Sequence, residues 1–233
     1  MKLTGNTIFV TGGGSGIGRG LAETLHRLGN QVIISGRRKG HLAETTKANP
    51  GMKSVELDVE NPASINAVTK ELIEDYPKLN VLINNAGVMH VDNAAGAVDE
   101  ALLVSTITTN LMGPIRLTGA LIEHLKKQDH AAVMNVSSVL GFVPLAMAAV
   151  YSSTKAAIHS YTLSLRYPTQ KQLGGGFGDC AALGADGPVK QQQRAACHAP
   201  RGIHLRNDRS HEDRRTGGVG GASKTPAEQC RTK

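Results

Sequence analysis

Short apolar runs separated by helical periodicity constrain this chain more than any other feature. Ile8-Phe9-Val10 is an apolar run ending in a glycine cluster, and Ile17, Leu21, Leu25 and Leu28 then recur at helical spacing up to Gly29-Asn30. Gln31 to Ser35 carries the β-branched run Val32-Ile33-Ile34, and Val55, Leu57 and Val59 alternate as a third strand. A polar helix fits between them, around Leu42 to Ala48. Asn61-Pro62 is a helix start with Ile65, Val68, Leu72 and Ile73 on one face, and Val81-Leu82-Ile83 returns to strand. The pattern then predicts one long helix near Val104 to Lys127, a fifth strand at Ala132 to Val136, and a helix over Tyr151 to Arg166. Buried strands joined by helices of this length predict a parallel sheet covered on both faces, with right-handed crossovers: a doubly wound α/β domain.

The 233 residues suffice for one such domain with a substantial core, not for two. Apolar runs fall far short of the roughly 20 residues of a membrane span, and MKLTGNTIFV has no signal-peptide anatomy, so a soluble, cytoplasmic protein is expected with no membrane partner. The net charge of +7 does not point to nucleic acid, because the basic residues form no stripe interleaved with aromatics, which make up only 3%. The charge is also unevenly placed. Residues 1–167 carry 15 Lys and Arg against 13 Asp and Glu, whereas residues 168–233 carry 11 against 6.

The turn after the first strand reads Thr11-Gly12-Gly13-Gly14-Ser15-Gly16-Ile17-Gly18. Glycines there permit a tight turn and let backbone approach a pyrophosphate, whose charge is met by free amides at the following helix N-terminus. The second strand ends in Ser35-Gly36-Arg37-Arg38, with no acidic residue to bind paired ribose hydroxyls. A guanidinium there suits a 2′-phosphate, which favours NADP over NAD. Tyr151 and Lys155 stand four residues apart and share one side of a helix, so an ammonium can act on a phenol. A phenol is a poor base at neutral pH, and a cation beside it stabilises the phenolate and makes proton exchange with an alcohol or carbonyl oxygen feasible. Ser138, at a strand C-terminus, can hydrogen-bond the same oxygen. Histidines 26, 41, 90, 124, 130 and 159 show no metal-ligand spacing and are expected on the solvated surface, and no metal is expected.

With Asn84-Asn85-Ala86-Gly87 ending the fourth strand, Asn110 inside a long helix, Ser137-Ser138 ending the fifth, then Tyr151 and Lys155, the sequence resembles the short-chain dehydrogenase/reductase family, whose common form has TGxxxGxG, NNAG, Ser and YxxxK. The resemblance covers residues 1 to about 167. It implies a Rossmann-type domain catalysing NAD(P)-dependent interconversion of an alcohol and a carbonyl on a small molecule, as a homodimer or homotetramer. It assigns catalysis to Asn110, Ser138, Tyr151 and Lys155, with Asn110 supporting a water that relays protons to Lys155. It assigns cofactor binding to Gly12, Gly14, Ser15, Gly16, Ile17, Gly18, Arg37, Asn85, Ala86, Gly87, Tyr151 and Lys155, and adenine contact to Asp58 and Val59.

Residues 168–233 depart from that pattern. They hold 11 of the 27 glycines, all three cysteines, and only seven residues from Ile, Leu, Val, Met and Phe, so little can be buried and low order is expected. Where the family continues with a sixth strand and a proline-glycine cofactor turn, this chain gives PTQKQLGGGFGDCAALGADGPVKQQQ. Written in permissible codons and read one nucleotide later, Gly175 to Lys190 followed by Gln191 admits AVLEIAPPWVQTDLLN, which has an apolar strand, a proline turn and a threonine. The segment therefore reads as translated out of frame from near Tyr167 or Pro168. The expected consequences are a sheet incomplete after the fifth strand, whose edge is left open, and a catalytically impaired product that at best binds the dinucleotide.

Overall fold

The short apolar runs around Ile8-Phe9-Val10, Val32-Ile33-Ile34 and Val81-Leu82-Ile83 fold as strands buried on both faces, successive residues packing against opposite helical layers. The computed structural model describes residues 3–172 and 179–183. Its strands are β1 (Thr7–Thr11), β2 (Gln31–Gly36), β3 (Lys53–Glu56), β4 (Leu79–Asn84), β5 (Ala132–Val136) and β6 (Asp179–Leu183). All pairs are parallel, in the order β3-β2-β1-β4-β5-β6. The order reverses between β1 and β4, as in a doubly wound Rossmann-type sheet.

The helices are α1 (Gly16–Arg27), α2 (Lys39–Ala48), α3 (Pro62–Asp75), α4 (Glu100–Ile107), α5 (Gly113–Leu125) and α6 (Ala149–Gln172). Ile8, Val10, Val32, Ile34, Val81 and Ile83 pack on one face of the sheet with Ala22 and Leu25 of α1 and Leu42 of α2. Phe9, Ile33 and Leu82 pack on the other with Ile65, Val68 and Leu72 of α3 and Leu117, Leu121 and Leu125 of α5. Asn61 caps α3, its Oδ1 accepting from Ala63 and Ser64 N–H, and Pro62 opens the helix at a position whose N–H is not needed.

Several local expectations are corrected. The α1 face that is buried is Gly18, Ala22 and Leu25, while Ile17 is 71% exposed. β3 stops at Glu56 because Leu57 N–H already reaches Gly36 O, the last residue of β2, and no partner backbone remains for Val59. The single helix expected near Val104 to Lys127 is two helices joined by a π-helical turn, Thr108–Met112. Pro114 explains the break, since it has no N–H to offer the Asn110 carbonyl four residues earlier. α6 runs to Gln172, six residues beyond the expected end, as an established helix extends at one hydrogen bond per added residue.

The expectation that β5 is left as an open edge is also corrected. β6 pairs with it from Ala132↔Asp179 to Val136↔Leu183, although the sequence there has no strand periodicity. Backbone donors and acceptors on an unpaired strand are satisfied by any extended segment, and the small residues of DCAAL permit one. Cys180 falls in this strand. Cys197 and Cys230, with residues 173–178 and 184–233 of the segment read as out of frame, lie outside the described residues.

Leu82 is fully buried at the centre of β4. Leu82→Ala is expected to cost about 2–5 kcal/mol, read as a lowered urea midpoint by circular dichroism.

Candidate active site

Where the strand order reverses, the loops leaving the carboxyl ends of β1 and β4 part and open a crevice of about 710 Å³. The two loops are locked together at its floor. Thr11 Oγ1 accepts from the backbone N–H groups of Asn85 and Ala86, each at 3.0 Å, and Asn85 Nδ2 donates to Thr11 O at 2.9 Å. That close approach explains two glycines. Gly12 has φ +67°, and a side-chain carbon there would stand 3.0 Å from Ala86 Cα. One at Gly18 would collide with Asn85 Nδ2 and the Gly12 carbonyl. Ser15 occupies the N-cap position of α1 without capping it; its hydroxyl accepts from Arg38 Nη2 at 3.0 Å instead. The helix start, with Gly14, Gly16 and Ile17, lines the crevice with its N-terminal amides free of side-chain capping by Ser15.

Arg37, Arg38, Asp58, Val59 and Glu60 line the crevice beside β2 and β3. Asp58 Oδ1 accepts from Glu60 N–H at 3.0 Å and so shapes the turn that follows β3. Val59 is buried. Arg37 Nη1 lies 3.3 Å from Glu60 Oε1.

At the opposite end, β5 delivers Ser137 and Ser138, and α6 delivers Tyr151 and Lys155. Lys155 is 6% exposed; its ammonium donates to Val136 O at 2.8 Å and stands 5.6 Å from the centre of the Tyr151 ring. Burial pushes the ammonium down to about 8. Ser137 is the structural neighbour that its position suggests, donating to Lys155 O at 2.9 Å. Ser138 lines the crevice, and its hydroxyl accepts from Leu140 N–H at 3.1 Å, fixing a short 3-10 turn, Val139–Gly141. That turn sits tightly on α6, since a side chain at Gly141 would begin 2.8 Å from the Lys155 carbonyl carbon.

Asn110 lies in the π-helical turn and is 2% exposed. It exchanges two 2.8 Å hydrogen bonds with the backbone of Val88 and donates to Thr154 Oγ1 at 3.2 Å. A side chain at Gly87 would begin 3.2 Å from Asn110 Oδ1 and 3.7 Å from Lys155 Nζ, so the β4 loop runs close against both groups. Every expected site residue except Asn110 lines the crevice directly; Asn110 supports its wall from behind.

Sequence reasoning missed Asp92, which accepts from the first amides of α6, Ala149 N–H and Val150 N–H, both at 2.8 Å. It thereby ties the β4 loop to the helix carrying Tyr151 and Lys155. No local signal marks it, because the partners are 57 and 58 residues away. Thr11, Glu60 and Thr109 escaped for the same reason. Three histidines expected on the solvated surface make contacts instead: His26 with Pro50 O, His124 with Leu79 O, and His159 edge-on against Phe142.

A family model described as short chain dehydrogenase matches residues 6–172. The uncharacterized oxidoreductase DltE of Bacillus subtilis strain 168 is 41% identical over 168 residues, 72% of this chain and 67% of that protein. Among solved structures, ligand-free aldohexose dehydrogenase (AldT) of Thermoplasma acidophilum superposes with TM-score 0.64 at 25% identity, over 71% of this chain and 62% of that one. A short chain dehydrogenase/reductase from Burkholderia phymatum, in complex with NAD, shares the fold with TM-score 0.72 at 24% identity, over 84% and 78%.

Burial of Lys155 has a consequence for stability. Its folded value of about 8 lies below the ordinary 10.5, so both states are protonated below pH 8. Between about 8 and 10.5 the unfolded chain holds more of this proton, and stability rises with pH by up to about 1.4 kcal/mol per unit. Denaturation of the parent and of Lys155→Met across this window is expected to show the parent gaining relative to the variant; a constant difference would contradict it.

Proposed function

The chain belongs to the short-chain dehydrogenase family, and on that premise we propose that it interconverts an alcohol and a carbonyl by NAD(P)-dependent hydride transfer at a Ser138-Tyr151-Lys155 site. The single observation that carries this reading is the buried Lys155 ammonium beside the Tyr151 ring, at the end of a crevice that also holds Ser138 and the glycine turn.

The crevice suits a dinucleotide: its floor is a tight glycine turn in which Gly12 and Gly18 leave no room for side chains, and the start of α1 is open to an anion. Gly12, Gly14, Ser15, Gly16, Ile17 and Gly18 would hold the pyrophosphate, and Asp58 and Val59 the adenine. Asn85, Ala86, Gly87, Tyr151 and Lys155 would hold the nicotinamide half. Arg37, with Arg38 beside it, would meet a 2′-phosphate, which favours NADP over NAD. A bound nicotinamide supplies the hydride acceptor or donor.

The chain's own residues manage the proton. Tyr151 gives it to, or takes it from, the substrate oxygen, which Ser138 holds in place by a hydrogen bond. Lys155 places a positive charge against the phenol, and its carbonyl bond to Val136 O leaves the ammonium little freedom to turn away. Asn110 keeps the wall behind Gly87 in place, and Pro114 leaves its carbonyl without the usual helical donor, consistent with a water at that carbonyl relaying protons to Lys155.

Family membership supports a homodimer or homotetramer, and exposed Val104, Met112 and Leu163 on α4, the π-helical turn and α6 offer apolar surface for one. The substrate is a small alcohol or carbonyl compound. A second reading is a chain that binds the dinucleotide without turning it over. It is favoured by the end of the family match at residue 172, a few residues into the segment read as out of frame.

NADPH binding and NADPH consumption, measured separately on a broad panel of carbonyl compounds, discriminate the two; binding without consumption supports the second. This chain is expected to turn over weakly or not at all, and normally once the shifted frame is restored, whereas equal activity of both proteins would contradict the frame reading. In whichever protein turns over, Tyr151→Phe is expected to lower kcat by about 10²–10⁴ while NADPH binding persists. A kcat within threefold of the parent would remove Tyr151 from the chemistry.

A further inference from the structure

At the β2 and β3 end of the crevice, two adjacent guanidinium groups differ in electrostatic state. Arg37 Nη1 lies 3.3 Å from Glu60 Oε1, and its side chain is 60% exposed. Glu60 is held more firmly. The same Oε1 accepts from Thr109 Oγ1 at 2.8 Å, its backbone N–H is held by Asp58 Oδ1, and its side chain is only 28% exposed. Arg38 donates to the neutral hydroxyl of Ser15, so its charge is not cancelled by a carboxylate among the described residues. The acid absent from the end of β2 is thus supplied from the turn after β3, anchored on the π-helical turn, and directed at Arg37.

We infer that Glu60 is a specificity-determining residue that competes with a 2′-phosphate for Arg37 and holds down the preference for NADPH over NADH. The inference rests on the dinucleotide reading given above. A 2′-phosphate must draw Arg37 away from an anchored carboxylate and then sit near that carboxylate's charge. A ribose carrying only hydroxyls leaves the pair intact. Because the ion pair is largely exposed, its hold on Arg37 amounts to a few-fold in affinity, not orders of magnitude. Arg38 is not restrained in this way and carries the preference that remains.

Glu60→Gln tests this with little change of shape, since the amide oxygen still accepts from Thr109. The chain has no tryptophan to report binding, so Kd values for NADPH and NADH are measured by calorimetry at one fixed, low ionic strength. The ratio of Kd for NADH to Kd for NADPH is expected to rise about fivefold in Glu60→Gln. Arg37→Ala added to Glu60→Gln is expected to abolish that rise. A rise below twofold, or one that survives Arg37→Ala, overturns the inference while leaving the dinucleotide reading intact. If neither NADPH nor NADH binds parent or variant, the dinucleotide reading fails and the inference falls with it.

Discussion

A buried ammonium governs the layout of this domain. Lys155 has been moved almost entirely out of water, where an uncompensated charge is costly enough to push its proton affinity down to about 8. Among the described residues what offsets the cost is backbone, not a counter-ion: the carbonyl of Val136, the last residue of β5, accepts from it at 2.8 Å. A carboxylate partner would have cancelled the charge. A carbonyl dipole steadies it and leaves its field to act on the Tyr151 ring one helical turn away. The strand end that accepts from Lys155 also leads directly into Ser137 and Ser138, so one short segment fixes the cation, the helix and the crevice hydroxyl together.

The second constraint is the seam between β1 and β4. Their apolar cores place Val10 and Ile83 in register, and the first residues beyond that pairing lock through Thr11, Asn85 and Ala86. The Asn85 side chain fills the space between the loops, and none fits at Gly12 or Gly18 beside it. On the outward side of β4, Asn84 continues the same logic with side chains. It donates to Thr118 of α5 and to Asn135 of β5, and Asn135 donates to Thr162 of α6. This buried, fully connected chain of amides and hydroxyls holds α5 and α6 to the sheet at defined positions, where a purely apolar contact would permit sliding.

Much of this was legible in the sequence, and for identifiable reasons. Strands such as Val32-Ile33-Ile34 and Val81-Leu82-Ile83 carry their own periodicity, and the glycine turn and the Tyr151–Lys155 spacing are local patterns. The illegible parts depend on partners distant in the chain. Asp92 reaches α6 across 57 residues, and Thr109 reaches Glu60 across 49. Asn110 has the look of a surface polar residue in a helix until Pro114 breaks the hydrogen-bond ladder and Val88 claims both sides of its amide. β6 was illegible because an open edge recruits backbone rather than side chains, so no pattern of residues has to announce it.

The two ends of the crevice are consequently built from different kinds of interaction, and this separates what can vary from what cannot. Around Lys155 the groups are buried and satisfied by backbone, so any displacement leaves a polar atom unpaired in a low-dielectric interior. Around Arg37 the interactions are exposed ion pairs, weak, screened by salt and readily exchanged for another anion. Lys39 with Glu56 is a second exposed ion pair, between the start of α2 and the end of β3. A substitution among these exposed charges costs the fold only a few tenths of a kcal/mol to about 1 kcal/mol. One among the groups that hold Lys155 disturbs the fold itself. Under the proposed function, proton transfer would fall to the rigid end, and discrimination between dinucleotides to the end whose contacts can be remade without unfolding anything.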